Sequence, residues 1–177
     1  MLYNVIVNLL VFSSCLYTAS SIYLRDKRSM PGRSFAAFLM AMGSLWFLSA
    51  LSNFFAWLGI LHVSLIFSYL ERILLVIQFI PLAYFLSYSI FKNEETSLNT
   101  SIAFAVVGLF FYLSFIISGA PKQNLSYWGV NWEIAWFGKG ILVACLMLPI
   151  FIMAALSIYE KIKKWVHEKA KPEFGML

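Results

Sequence analysis

Five long apolar stretches alternate with short polar segments along this chain. Each stretch predicts one transmembrane helix, because about 20 apolar residues are enough to cross the hydrocarbon of a bilayer. We therefore expect an all-α integral membrane protein, a bundle of five transmembrane helices. The bundle would occupy residues 1–160 as one domain, and a basic cytoplasmic tail would follow at 161–177. The predicted spans are residues 3–24, 34–58, 63–91, 100–118 and 138–160.

The first stretch is predicted to be a retained helix and not a cleaved secretory signal. A secretory signal begins with a basic segment, whereas residues 1–4 carry no basic residue. The apolar run is also long, and its only basic cluster lies after it.

The basic residues divide unequally between the polar segments. Ten lie in the first loop, the third loop and the tail, against two in the other connections. Cytoplasmic loops carry the excess of Lys and Arg, so we expect the N-terminus outside and the C-terminus in the cytoplasm. The ten are Arg25, Lys27, Arg28, Arg33, Lys92, Lys161, Lys163, Lys164, Lys169 and Lys171; the two are Lys122 and Lys139.

This distribution also explains the net charge of +5 without a nucleic-acid partner. Basic residues beside a span meet anionic lipid headgroups or a partner protein. The residues predicted to make such contacts are Arg25, Lys27, Arg28, Lys161, Lys163 and Lys164. The expected location is the cell membrane, inner or plasma.

The sequence lacks the residues that several kinds of membrane enzyme require. Hydrophobic residues make up 62% of the chain and charged residues 12%. Histidine is present only at 62 and 167, which disfavours a bis-histidine haem, and Asp26 is the only aspartate. Cys15 and Cys145 are predicted to be packing residues within spans. We expect no catalytic activity, no cofactor and no metal site.

The third stretch contains Glu71 and Arg72, and two arrangements fit this pair. In the favoured one, both residues mark the outer interface and residues 60–70 form an interfacial or protruding turn. In the other, the helix starts near Leu61 and the charges lie about three turns in. A charge at that depth would indicate a functional site.

Other residues predict local features of the spans. Pro81 is expected to kink the third helix, and Gln78 to bond to a neighbouring helix. Pro31-Gly32 is typical of a turn, so Ser34 is the predicted cap of the second helix. Ser97 or Asn99 would cap the fourth. The small residues of the second helix predict close helix packing: Ala37, Ala41, Gly43, Ser44 and Ala50.

The connection before the last span is rich in aromatic residues. Trp128, Trp132 and Trp136 are four residues apart, which predicts one face of a short interfacial helix. Either these residues form an aromatic belt at the headgroups, or they line an outer pocket. The candidate ligand-binding residues are Glu71, Arg72, Gln78, Tyr127, Trp128, Trp132 and Glu133. The last span continues without a break signal, so its helix should extend two or three turns beyond the membrane.

Several segments resemble the N-terminal membrane region of seven-helix histidine kinases and related bacterial sensors. They are PGRSFAAFL at the first loop, SLWFL in the second span, ERILLVIQFIPLAYFLSYSIF in the third, and Trp128-Gly129 before the last. The chain departs from that pattern in having five spans. The resemblance implies a sensing or assembly module whose output comes from another chain.

Three functions fit these observations. The first is a non-catalytic sensory, regulatory or assembly subunit that couples an outer or intramembrane signal to a cytoplasmic partner. The second is an oligomeric transport or pore-forming subunit, for example of a defence system. The third is an accessory, quinone-associated subunit of a larger membrane complex. All three imply membrane lipids as partners, and either a homo-oligomer or a second protein.

Overall fold

Six α-helices and one short hairpin form the described part of the molecule. The computed structural model describes residues 1–118, 123–126, 129–132 and 140–169. A π-helical segment, Ile141–Met147, leads directly into the last helix. The elements are α1 (Leu2–Arg25), α2 (Met30–Trp57), α3 (Leu61–Ile77), α4 (Phe79–Phe91), α5 (Glu94–Ser118), β1 (Gln123–Ser126), β2 (Gly129–Trp132) and α6 (Leu148–Lys169).

Five helical segments are long and apolar enough to cross a membrane, as the sequence predicts. They are Leu2–Arg25, Met30–Trp57, Leu61–Phe91, Glu94–Leu113 and Leu142–Lys163. Large apolar side chains are exposed on all five, for example Tyr17, Leu109 and Phe151. A water-soluble protein rarely exposes so much continuous apolar surface. The five helices and their exposed apolar surfaces fit a multi-pass membrane protein.

Outward-facing hydroxyls on α1 fit an apolar surrounding. Ser13 Oγ donates to the Leu9 carbonyl at 2.9 Å, and Thr18 Oγ1 donates to the Ser14 carbonyl at 2.8 Å. Both residues are exposed, yet each hydroxyl is satisfied within its own helix. Such internal pairing is what a polar group needs where water is absent.

Helix α2 begins four residues before its predicted start at residue 34. Ser29 is the N-cap, and its hydroxyl accepts a hydrogen bond from the Gly32 N–H at 3.2 Å. Pro31 lies in the first turn of the helix, where a missing N–H costs nothing. The prediction of a turn at Pro31-Gly32 with Ser34 as the cap was wrong, because proline at the start of a helix was read as proline in a loop.

Helix α5 also begins earlier than predicted, at Glu94 and not at residue 100. The Asn93 side chain accepts from the Thr96 N–H at 3.2 Å, so Asn93 is the cap and the choice of Ser97 or Asn99 was wrong. Glu94 and Glu95 occupy the first turn, where negative charge is favoured. The predicted start was too late because it was taken from the apolar run alone. The first turn of the helix is polar and precedes that run.

The third span is broken near its middle, as Pro81 predicts. Helix α3 ends at Ile77 and α4 begins at Phe79, with Gln78 between them. Proline cannot donate to the carbonyl four residues earlier, which here belongs to Ile77. The Ile80 carbonyl at this junction accepts a hydrogen bond from Ser101 Oγ of α5 at 3.1 Å.

Helix α2 packs against α1 on one side and against α3 and α4 on the other. Small residues allow the close approach to α1: a Cβ placed on Gly43 would lie 3.0 Å from Cys15 Cβ. On the far side, α4 packs against α5 and α6. There Gly108 of α5 lies directly against the Val76 side chain. The apolar core joins these helices through Val76, Phe79, Ala83, Leu86, Phe104, Phe111, Leu146 and Ile150.

A β-hairpin replaces the predicted interfacial helix. Strands β1 and β2 pair antiparallel, from Gln123 opposite Trp132 to Ser126 opposite Gly129. The two residues between the strands make a connection of the length typical of hairpins. The helix prediction was wrong because four-residue spacing over so short a segment does not distinguish a helix from a hairpin. Trp128 and Trp136, like Tyr127 and Glu133, lie outside the described residues.

The last helix runs from the π-helical segment to Lys169 without interruption. It therefore continues about two and a half turns beyond Glu160, which confirms the predicted helical extension. Lys161 and Lys163 are exposed on this extension.

Candidate functional site

The buried face of α3 is polar, whereas its exposed face is apolar. Ser64, Ser68 and Arg72 are buried at four-residue intervals and therefore share one face, which Val76 continues as an apolar residue. Large apolar side chains are exposed around the rest of the helix: Leu61, Ile66, Tyr69, Leu70, Ile73 and Ile77. This is the distribution expected for a helix that faces lipid outside and polar partners inside.

Ser52 of α2 joins this face through a network of buried hydroxyls. Ser52 Oγ lies 2.6 Å from Ser68 Oγ and 3.2 Å from Ser64 Oγ, and it donates to the Ser64 carbonyl at 3.2 Å. All three serines are at most 2% exposed. Beside Ser52, the Asn53 side-chain amide donates to the carbonyl of Ser49, one turn earlier in α2, at 2.8 Å. Hydroxyl groups therefore bind the first part of α3 to the last part of α2.

Glu71 and Arg72 lie at the inner end of this network. They are the only Asp, Glu, Lys or Arg residues of positions 61–91, all of which the structure describes. The Glu71 side chain lies near the Ser49 side chain of α2. Arg72 is 7% exposed, and its guanidinium carbon lies 5.6 Å from the centre of the Tyr69 ring. This distance is typical of a cation–π interaction.

Tyr112 brings α5 to the same place. It lies near enough to Arg72 for an electrostatic interaction between the two side chains. Its hydroxyl oxygen is buried and has no hydrogen-bond partner among the described residues. We call Ser49, Ser52, Ser64, Ser68, Glu71, Arg72 and Tyr112 the arginine cluster.

The start of α3 agrees with the second of the two arrangements considered for Glu71 and Arg72. The helix begins at Leu61, so the charges lie ten and eleven residues in, about 15 Å along the axis. Residues 61–70 are not a protruding turn, because Ser64 and Ser68 are packed against α2. This segment therefore belongs to the continuous helix, and the level of Glu71 and Arg72 in a membrane stays a prediction.

The other candidate ligand residues lie elsewhere. Gln78 is half-buried at the junction of α3 and α4. Trp132 ends β2, and this strand lies beside α2. Tyr127, Trp128 and Glu133 lie outside the described residues, so the outer pocket stays a prediction. Of the basic residues predicted to meet lipid or a partner, Arg25, Lys27, Arg28, Lys161 and Lys163 are exposed, and Lys164 lies in α6.

Sequence reasoning identified the charges of the arginine cluster but missed its hydroxyls. Ser52, Ser64, Ser68 and Tyr112 are ordinary residues of apolar spans when each is considered alone. The missed signal is the spacing of Ser64, Ser68 and Arg72, which repeats every four residues along an otherwise apolar helix. Such a stripe of polar residues predicts a buried polar face on a membrane helix.

The arginine cluster offers hydrogen-bond donors and a positive charge inside an apolar bundle. Arginine stays charged in proteins and presents five N–H donors, which suit carbonyl, carboxylate or phosphate oxygens. The neighbouring tyrosine hydroxyl adds a donor and acceptor. Within the described part of the chain, no three His, Cys, Asp or Glu side chains lie close enough to hold a metal ion. The polar character of the cluster comes from its guanidinium, carboxyl and hydroxyl groups.

No protein-family model matches this chain, and neither a curated protein nor a solved structure resembles it closely enough to count as a match. The resemblance to the membrane region of histidine kinases therefore stays a prediction from the sequence.

Proposed function

We propose that this chain is a non-catalytic sensory or regulatory membrane subunit. The arginine cluster receives a signal within the bilayer or at its outer face, and α6 passes it to a cytoplasmic partner. The observation that carries the proposal is the burial of Arg72 beside Glu71 inside the third span. A charge there costs several kcal/mol, roughly 2.5–3.5 on insertion scales. Charged residues at such positions are typically functional.

A continuous set of contacts leads from the cluster to α6. Helix α3 continues into α4 across the break at Gln78, and α4 packs against α6. Ser89 Oγ of α4 lies 2.6 Å from Ser157 Oγ of α6. A break without continuous hydrogen bonding lets α3 tilt relative to α4. A tilt of α3 at the cluster would therefore change how α4 holds α6.

The distribution of charge gives this path a direction. In the proposed orientation, the N-terminus and the turn between α2 and α3 are outside, so the arginine cluster lies in the outer half. The extension of α6 then enters the cytoplasm with Lys161 and Lys163 exposed. A partner with an acidic surface, or the anionic lipid headgroups, would bind this extension.

A pore through a single chain is less well supported. The arginine cluster does not continue across the described part of the bundle, because the apolar core of Val76, Phe79, Phe111 and Leu146 follows it. An oligomeric pore would need its polar lining between copies. The described outer faces of α1, α5 and α6 carry mainly exposed apolar residues.

The first test is gentle extraction of the tagged, full-length chain from its native membrane, followed by native mass spectrometry. A stoichiometric soluble partner is expected, and it should bind less well when Lys161 and Lys163 are both changed to Gln. A homo-oligomer that carries only lipid would contradict the proposal and favour the pore. A complex of redox proteins would favour the quinone-associated subunit.

The second test measures coupling between the cluster and α6 by hydrogen exchange of the purified complex. Arg72→Gln should change the exchange rates of amides in residues 153–163, more than about 20 Å from the substitution by helix rise. His62→Gln is the matched control, because His62 is exposed on the same helix. Changes confined to α2 and α3 would mean that Arg72 has a local structural role only.

A further inference from the structure

An open groove separates α1 from α2 at the end of the bundle opposite the arginine cluster. Its volume is ≈ 820 Å³, within the range of about 300–1,000 Å³ typical of small-molecule sites. Ala19, Ala36 and Ala37 leave space between the two helices, and Pro81 of α4 closes the inner end. The groove is open to the surroundings.

Most polar groups of the groove gather at one end, and Ser20 of α1 lies farther in. Arg33 and Ser34 lie in the first two turns of α2, and Tyr23 lies in the last turn of α1. Met40, Ala37 and Pro81 line the part that lies deeper in the bundle. No acidic residue is among the lining residues that the structure describes. The groove thus combines one positive end with an apolar interior.

We propose that this groove binds one acyl chain of an anionic phospholipid, with the lipid phosphate at Arg33. The proposal needs the chain to be inserted in a bilayer, but it does not depend on the sensory role. Arginine recognises phosphate oxygens with paired N–H donors. The N-terminal end of α2 is occupied by the Ser29 hydroxyl and the Asp26 side chain, so the Arg33 guanidinium is the group that would meet the phosphate.

The length of the groove agrees with one leaflet of a membrane. From Met30 to Met40 the wall formed by α2 extends ten residues, about 15 Å along the axis. One half of a hydrocarbon core of about 30 Å has the same depth. Pro81 lines the inner end of the groove, ten residues of α4 before the end of that helix at Phe91. A single acyl chain would therefore fit between headgroup level and Pro81.

The charges around the open end favour an anionic headgroup over a neutral one. Arg25, Lys27 and Arg28 are exposed in the turn between α1 and α2. Asp26 is the one acidic residue of this turn, and it is directed at the helix: a Cβ on Gly32 would lie 2.7 Å from Asp26 Oδ2. The acidic side chain thus lies against the first turn of α2, and it does not line the groove.

The test uses the purified full chain in delipidated form, mixed with equal amounts of phosphatidylglycerol and phosphatidylcholine. Native mass spectrometry should show one tightly retained phosphatidylglycerol per chain. Arg33→Gln should lower its retention about fivefold relative to phosphatidylcholine, the effect expected for one basic contact. Arg28→Gln is the matched control, because Arg28 lies in the same basic turn and does not line the groove.

A second variant tests the apolar part without altering charge. Ala37→Phe places a ring in the groove and should abolish the retained lipid, whereas Ala103→Phe on the exposed face of α5 should not. Unchanged retention in both Arg33→Gln and Ala37→Phe would overturn the proposal. A dimer of the chain that Ala37→Phe dissociates would also overturn it, because a second copy and not a lipid would then occupy the groove.

Discussion

Two polar layers lie on opposite sides of the apolar core, and they differ in charge. The arginine cluster between α2, α3 and α5 contains serines together with Glu71 and Arg72. The second layer, between α4, α5 and α6, is built from hydroxyls. Its contacts are Ser87 with Thr100 at 3.2 Å, Ser89 with Ser157 at 2.6 Å, and Ser101 with the Ile80 carbonyl at 3.1 Å.

Comparing the two layers distinguishes contacts that only join helices from a charge that helix packing does not require. Hydroxyl pairs between membrane helices contribute about 0.6 kcal/mol each on average, and they impose little cost, because a serine can also bond within its own helix. Together with the apolar core, they hold α4, α5 and α6 against one another. A buried arginine is not needed for that purpose, since apolar residues of similar size pack at least as well. The presence of Arg72 in the first layer therefore agrees with the proposed sensory role.

The largest predicted effect concerns the side of the membrane on which each layer lies. With Cys15 and Cys145 replaced by alanine, Glu95→Cys at the start of α5 should resist an impermeant maleimide in intact cells. Asn124→Cys in β1 should react, because the hairpin is expected outside. The measurement is the fraction of protein labelled in intact cells. Nearly all of the Asn124→Cys variant should be labelled, and almost none of the Glu95→Cys variant.

Permeabilised cells provide the control for this labelling, because both cysteines should react there. The reverse pattern in intact cells would place the arginine cluster in the cytoplasmic half and would contradict the proposed direction of signalling.

The next largest effect is on the stability of the first layer. The double variant Glu71→Gln, Arg72→Met removes both charges and keeps their approximate volumes. We expect the free energy of unfolding in detergent to be unchanged or to rise by about 1–4 kcal/mol, because the cost of burying charge disappears. Thermal unfolding of the purified protein measures the difference.

A loss of stability in this double variant would contradict the functional explanation, since the charges would then be structural. Ser52→Ala gives the comparison within the same layer. It removes a hydroxyl bonded to Ser64 and Ser68, so it should lower stability by about 1 kcal/mol.

The sequence predicts some features of this molecule well and others poorly, for identifiable reasons. The five spans can be predicted from apolar runs alone, because the length of a run determines whether a helix can cross the bilayer hydrocarbon. Helix ends do not follow from apolarity: Ser29 and Asn93 start helices through local hydrogen bonds. Their predicted starts were too late, because the polar first turns were assigned to loops.

The candidate site shows the same division. Glu71 and Arg72 are conspicuous in an apolar span, so charge alone identified them. Ser52 and Tyr112 belong to the site only because α2 and α5 pack beside α3. Apolar helices can face lipid or one another equally well, so neither neighbour follows from the sequence of α3.

The smallest predicted effect tests whether the second layer is only a helix contact. Ser89→Ala and Ser157→Ala should each lower stability slightly, and a double-mutant cycle should give a coupling of about 0.6 kcal/mol. Ser13→Ala is the matched control, because its hydroxyl bonds within α1. If the pair also passes the signal, Ser89→Ala should leave partner binding in place and reduce the effect of Arg72→Gln on exchange in α6. An undiminished effect would instead mean that the signal reaches α6 through the apolar core, where Ile150 packs with Ala83 and Leu86.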